Sequence, residues 1–325
     1  MAALAAVVIS VMPACSGGGK EKQEEAPATQ AERLGFPADK KVLILHADDA
    51  GMCREANEAV QQLLLSGHIQ STAVMAPCPA ADSMLAWAVA HPGEDVGMHL
   101  TLTSEWQTWR WGPVSDPATV PGLLDPDSML WHEVAQVVAH ATPDEVEREI
   151  RAQIDKAITL GHRPTHLDTH MGTLYASPAF AERFLKVAME YRIPANAIDL
   201  SDTAVARQFR EAGYPVDDRM IHLLEHYDLP KLDFFTSVPK GKTYEEKKEN
   251  FKRLVRSLKP GLTEIIFHPS VESDHLKEIT HSWQQRVWEY KMFTDPDIIQ
   301  FFQDEGILFT NWIDIMRRYR EQKEN

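Results

Sequence analysis

Val42-Leu43-Ile44-Leu45-His46-Ala47-Asp48-Asp49-Ala50-Gly51-Met52 decides how this chain is read: four consecutive apolar residues run almost directly into two adjacent carboxylates. An uninterrupted Val, Leu and Ile run fits a strand covered on both faces, as in parallel sheets flanked by helices. Ligands of such sheets bind beyond the carboxyl ends of the strands, and Asp48 and Asp49 fall at that end. Side by side the two acids repel. A fold that fixes both offsets the repulsion with a metal, a proton or a cationic neighbour. A metal site is the leading expectation, and a solvated turn is the plain alternative, since Asp and Gly are ordinary turn residues.

Downstream of this stretch the chain alternates. Cys53 to Leu65 carries Ala56, Val60, Leu63 and Leu64 at helical spacing, and Gly67 stands where a helix stops. Ile69 to Met75 is a strand candidate, Ala80 to Ala90 is helical, and Val96 to Leu102 returns to strand character with His99 inside it. This β-α-β-α-β order is the mark of an α/β fold with a parallel sheet or barrel. Thr142 and Glu145 are spaced as a capping box for a long helix. After it, Thr165 to Thr169 predicts a short strand, and alternation puts His166, Asp168 and His170 on one face. Ser177 to Tyr191, Tyr244 to Leu258, Trp283 to Phe293 and Asp295 to Glu305 read as helices. Thr263 to Phe267 reads as a strand ending at His268, Ile307 to Thr310 as a last short strand and Asn311 to Arg320 as the closing helix.

Two stretches break the alternation. Trp106 to Trp131 holds Trp106, Trp109, Trp111 and Trp131 among Gly, Pro and Asp. A long loop of this kind serves as a lid or binding wall, and two roles fit its tryptophans: stacking on the apolar faces of sugar rings, or packing beneath the loop. Asn196 to Lys242 mixes charges, prolines and short apolar pieces, and irregular substrate-side loops are expected there.

The 325 residues, 44% of them hydrophobic, suffice for one large core or two modest ones. A formal net charge of −15 argues against a nucleic-acid binder, which clusters Lys and Arg against phosphate. At the amino terminus, the apolar stretch Ala2 to Ala14 ends at Cys15 and is followed by Ser16, three glycines and a polar run. This resembles a bacterial lipoprotein signal. It places residues 1–15 as a signal segment, Cys15 as the lipidated residue and 16–38 as a flexible tether, with a single domain over 39–325. The expected location is the bacterial cell envelope, periplasmic or surface, with the membrane met only through the lipid anchor. Cys53 and Cys78 then remain, outside any CxxC pattern, so no thiolate zinc site is suggested and their pairing is open.

Four strand candidates thus end on ionisable groups: Asp48 with Asp49, His99, His170 and His268. In a closed barrel such ends share one face, where active sites are built. Imidazoles with a carboxylate suit zinc or another divalent ion with a position left for water. One aspartate can ligate while its neighbour takes a proton, and an imidazole off the metal can protonate a leaving group. That is the outline of a hydrolase of an amide or ester.

Leu45-His46-Ala47-Asp48-Asp49-Ala50-Gly51, Val96-Gly97-Met98-His99-Leu100-Thr101-Leu102-Thr103, Arg163-Pro164-Thr165-His166-Leu167-Asp168-Thr169-His170 and Phe267-His268-Pro269 together resemble the YdjC-like carbohydrate deacetylase family, which includes the chitooligosaccharide deacetylases. The resemblance spans Lys40 to Arg320. It implies an irregular TIM-like (β/α) barrel of the polysaccharide-deacetylase kind and metal-dependent removal of an N-acetyl group from an acetylated mono- or oligosaccharide. It further implies Asp49, His99 and His170 as ligands of a divalent ion such as zinc or magnesium, Asp48 as general base, and His268 as the group that protonates the leaving amine. His166 and Asp168 become residues that orient His170 or brace the strand; for His166 a core hydrogen bond is the alternative. Members of the family commonly continue the His170 motif with further histidines, whereas Met171-Gly172-Thr173-Leu174-Tyr175 follows here, and Ala50 replaces a commonly aromatic residue, opening space near the carboxylates. Both departures bear on the substrate. A metal-dependent hydrolase of another amide, ester or phosphoester bond and a catalytically silent glycan-binding lipoprotein are the competing functions.

Overall fold

Residues 28–324 are described by the structure, a computed structural model. The segment 1–15, with the lipidation expected at Cys15, lies outside them. At the centre of the sheet is β1 (Lys41–Ala50), buried along nearly its whole length. Around it stand β2 (Ser71–Val74), β3 (Val96–Leu100), β4 (Leu167–Thr169), β5 (Phe234–Ser237), β6 (Gly261–Phe267) and β7 (Leu308–Phe309). The order is β4-β3-β2-β1-β6-β5, with β7 paired to β1 through Val42 and Leu43, and every pairing is parallel. Two isolated parallel bridges, Leu167 with Ala195 and Ile198 with Leu232, carry the pairing from β4 across to the residues leading into β5. The ring therefore closes as an irregular TIM-like barrel.

Strand alternation sorts the side chains. Leu43, Leu45 and Ala47 of β1 point outward into the large core shared with the surrounding helices, as do Ile265 and Phe267 of β6. Val42 and Ile44 point inward and form a separate cluster with Leu232, Leu262, Trp312 and Ile315. Ala31, Leu34 and Phe36 join this cluster and close the barrel floor. Of the stretch 16–38 expected to be a tether, residues 30–36 thus pack against the barrel. Gln30–Arg33 is a short helix capped by Thr29, and the backbone N–H groups of Gln30 and Ala31 donate to Asp233.

Above the apolar floor the barrel interior turns polar. Gly97 makes this possible: a Cβ there would lie 2.5 Å from the His166 ring and 2.6 Å from its carbonyl oxygen. The stretch 196–242 is more regular than its composition suggests, with helices at Thr203–Glu211 and Asp218–His226. Each helix is only nine residues long, too short for the spacing of Val205 with Phe209 and of Met220 with Leu224 to stand out among the charges and prolines. Cys53 and Cys78 are free and buried.

Candidate metal and active site

Strict alternation would send Asp48 and Asp49 to opposite faces of β1. The register of β1 against β2 shifts between Ala47 and Ala50, and Asp49 adopts φ 63°. This irregularity re-aims a side chain as β-bulges do, and Asp is among the few residues that tolerate the left-handed region. Both carboxylates consequently reach the barrel mouth. The turn behind them is fixed by Asn57, whose Oδ1 accepts from the Gly51 N–H at 2.6 Å. Gly51 itself has φ 87°, and a Cβ there would press on Val74 and Ala81 at 3.0–3.1 Å.

Three donor atoms converge at the mouth. His99 Nε2 and His170 Nδ1 are 3.1 Å apart, and each lies 3.4 Å from Asp49 Oδ1. Asp49 Oδ1 has no hydrogen-bond partner among the described residues although it is fully buried. Ligands held at about 2.0–2.1 Å from a tetrahedral ion stand about 3.3 Å from one another, which this triangle matches. The far nitrogens are engaged: His99 Nδ1 meets Asp168 Oδ1 at 2.7 Å and His170 Nε2 meets Glu105 Oε2 at 3.1 Å. Such partners fix which nitrogen faces a metal. The donor set and its spacing therefore fit a divalent ion.

Charge reinforces this. Asp48, Asp49 and Asp168 are all buried, and three carboxylates out of water demand positive charge beside them. Burial opposes ionisation of Asp49, but Arg286, whose Nη2 donates to Asp49 Oδ2 at 2.7 Å, holds its carboxyl well below the usual range. His170 is driven the other way: burial disfavours its charge, yet Glu105 and Asp49 raise it to about 9. Burial pushes Asp48 up to about 7, against the opposing pull of His99 and His46. Its Oδ2 lies 3.7 Å from His268 Nε2. His268 keeps 37% of its side chain open to the cavity mouth, and desolvation by the surrounding protein lowers it to about 4.

Asp48, Asp49, His99, His170 and His268, which the sequence singled out, thus line one cavity, with Asp168 among them. Two expectations change. Asp168 orients His99 rather than His170, because β3 and β4 are neighbours that set His99 opposite Asp168. His166 sits one layer lower, 0% exposed, against Asp95 at 3.1 Å and stacked on Trp312, as a core histidine. The tryptophans also differ from a stacking platform. Trp109 Nε1 donates to the Met52 carbonyl and Trp111 Nε1 to that of Thr103, while Trp106 packs edge-on against Trp111 and lies under the Arg286 guanidinium. None of the three lines the cavity. Ala50 faces the core, not the site.

Glu105, Arg286 and His46 escaped sequence reasoning. His46 Nε2 lies 3.0 Å from Asp168 Oδ2 and 3.3 Å from Asp48 Oδ1, and its Nδ1 meets Ser71 Oγ at 3.0 Å. Period two along β1 would have placed His46 on the same face as Asp48. Glu105 and Arg286 carried no such signal, since one lies in a loop and the other in a helix far along the chain.

A model of the family described as YdjC-like protein matches residues 42–304. The chain is 29% identical over 274 residues to a carbohydrate deacetylase of Thermoanaerobacter pseudethanolicus, covering 84% of this chain and 98% of that one. It is 32% identical over 272 residues to a carbohydrate deacetylase of Thermus thermophilus, covering 82% and 91%. Among solved structures it is similar to that of a protein named for cellobiose-phosphate cleavage, from Enterococcus faecalis V583. The TM-score is 0.70 at 23% identity over 85% of this chain and 99% of that one, a likeness that speaks for the fold.

Proposed function

The chain belongs to the YdjC-like family and is a carbohydrate deacetylase, and from that premise we propose a metal-dependent reaction that removes an N-acetyl group from an acetylated mono- or oligosaccharide. The observation that carries this is the triangle of Asp49 Oδ1, His99 Nε2 and His170 Nδ1 beside a second carboxylate, Asp48, that makes no part of it. A divalent ion held by those three atoms supplies Lewis acidity and makes water acidic near neutral pH.

The protein's own groups do the rest. Asp48, raised to about 7 by burial, is poised to take a proton from the attacking water at physiological pH. His46, 3.3 Å from Asp48 Oδ1, holds the carboxylate in place. His268 is neutral at rest, so it must receive a proton before giving one, and Asp48 Oδ2 at 3.7 Å is within reach. The proton taken from water passes through this pair to the departing nitrogen as the carbon–nitrogen bond breaks, leaving acetate and a free amino sugar. Arg286 keeps Asp49 ionised and pinned by one oxygen, leaving Oδ1 free.

Asp48→Asn should keep metal affinity and lower kcat by about 10²–10⁴, measured as acetate released from N-acetylated oligosaccharides. Full activity in that variant would remove Asp48 from the chemistry. A chelator should abolish turnover and added divalent ion restore it; activity that survives exhaustive chelation would end the metal proposal. The envelope location belongs to the same proposal, and fatty-acid labelling that is lost in Cys15→Ser tests it.

A further inference from the structure

The cavity over the triad has a volume of about 620 Å³, in the range of sites for drug-sized ligands and far larger than an acetyl group fills. Its walls differ in kind. Gln285, Arg286 and Glu289, from the helix Trp283–Phe293, make a polar sector. The sector contributed by residues between the Ala195–Ile198 bridges and β5 is aliphatic and aromatic apart from Asn196 at its start: Ile198, Leu200, Phe209, Val216, Met220 and Leu224. Three of these sit on helices, Phe209 on Thr203–Glu211 and the buried Met220 and Leu224 on Asp218–His226. Tyr214 enters the same wall, and Gly172 admits it: with φ 66°, a Cβ at Gly172 would lie 2.6 Å from Tyr214 Oη. Met171 and Gly172 are thus cavity residues.

We propose that the substrate is amphiphilic, with its sugar on the polar sector and an extended apolar group seated against the wall of Ile198, Leu200, Phe209, Val216, Met220 and Leu224. A hexose carries a hydroxyl on almost every carbon, and each one buried against alkyl groups would lose its partner in water. An alkyl or aryl group gains from the same wall. The apolar group reaches it from one of two positions, as the acyl chain on the scissile nitrogen or as an aglycone on the sugar. This inference rests on the deacetylase reading for its turnover arm and is independent of it for binding.

Calorimetric titration of the whole protein with methyl and octyl β-glucoside, below the concentration of micelle formation, tests the wall directly. Each methylene buried should tighten binding about fourfold, so octyl should exceed methyl by at least about a hundredfold. Phe209→Gln, at a half-buried position, and Leu224→Gln should each flatten that dependence. Equal affinity for the two glucosides, or full chain-length dependence in both variants, overturns the proposal. Turnover then identifies the source. Methyl and octyl glycosides of N-acetylglucosamine are compared with the methyl glycoside of N-octanoylglucosamine. Preference for the octyl glycoside assigns the aglycone, and preference for the octanoyl amide assigns the acyl chain. Deacetylation of all N-acetyl substrates at one rate, with the octanoyl amide no faster, overturns the proposal while leaving the reaction standing. Tight octyl binding with no hydrolysis of any amide supports the wall and removes the deacetylase reading.

Discussion

Asp168→Asn probes how the three converging donors are held. In the native site one Asp168 oxygen meets His99 Nδ1 at 2.7 Å and the other lies 3.0 Å from His46 Nε2. One carboxylate thus orders two imidazoles at once. An asparagine amide can serve only one of them in the same way. With its carbonyl toward His99, its N–H₂ faces His46 and reverses the polarity of that contact. Turned around, it meets His99 Nδ1 with an N–H, which moves the imidazole hydrogen to Nε2, the atom proposed to ligate. One buried negative charge beside the proposed ion site is also lost. Loss of a partner that orients a metal-bound histidine costs about 10–100-fold in affinity, equivalent to about 1.4–2.7 kcal/mol. Titration calorimetry with a divalent ion should show that drop, with circular dichroism unchanged and kcat/KM reduced even at saturating metal. His166→Gln is the control: its ring packs edge-on against His46 and touches Asp95 and Trp312 but no member of the triad, so its metal affinity should fall by less than that of Asp168→Asn. Unchanged affinity in Asp168→Asn, or an equal drop in His166→Gln, would refute the assignment of Asp168 as the group that sets His99.

Gly97→Ala forces a methyl against the carbonyl of His166 at 2.6 Å, and backbone cannot swing aside as a side chain can. Thermal denaturation should show a loss of about 1–3 kcal/mol, and an unchanged Tm would mean β3 and β4 are not so closely apposed. Glu147 accepts from Arg151, Arg183 and Lys186, joining the helices Pro143–Thr159 and Pro178–Tyr191. Although burial opposes it, the Arg151 hydrogen bond and its companions lower the Glu147 carboxyl from 4.5 to about 2. A depressed folded value means the contribution is complete above the unfolded pKa and fades as pH falls from there toward 2. The stability difference between wild type and Glu147→Gln should therefore be about 1 kcal/mol at neutral pH after solvent screening and vanish near the lower limit; a difference independent of pH would refute it. Trp111→Phe removes the bond from Nε1 to the Thr103 carbonyl at 2.9 Å. It should cost about 1 kcal/mol of stability with little change in KM, and the reverse pattern would return this residue to the substrate.

What the sequence shows and what it hides divide along one physical line. The strand ends were legible because periodicity and the α/β order are local signals, and parallel strands of one barrel must present their carboxyl ends together. That reasoning brought Asp48, Asp49, His99, His170 and His268 to one cavity, where the structure has them. The same alternation, carried one step further along β1, also marks His46, which faces inward with Val42, Ile44 and Asp48. Glu105 and Arg286 complete the electrostatics from a loop and a distant helix, and no spacing rule links either to the strands it serves. The tryptophans misled for a related reason. Composition shows that Trp106, Trp109 and Trp111 lie in a loop, but only the fold shows that two indole N–H groups are spent on the backbone carbonyls of Met52 and Thr103.

The substrate is harder to read than the reaction because different parts of the chain specify them. Chemistry requires a few polar atoms within about 3–4 Å of one another, and the strands can hold them only at the register the barrel allows. Even the exception obeys this: Asp49 joins its neighbour Asp48 at the mouth through a shifted register and a left-handed backbone. The walls above have no such constraint. They come from the segment after Asn196, whose helices are short and amphipathic, and from Met171 and Gly172, whose positive φ turns the chain away from β4. A change there alters which side chains the cavity offers and leaves the donor triangle where the barrel fixes it. The apolar wall can therefore serve this chain's own substrate while the register of the barrel fixes the triad, and the two should respond separately to mutation.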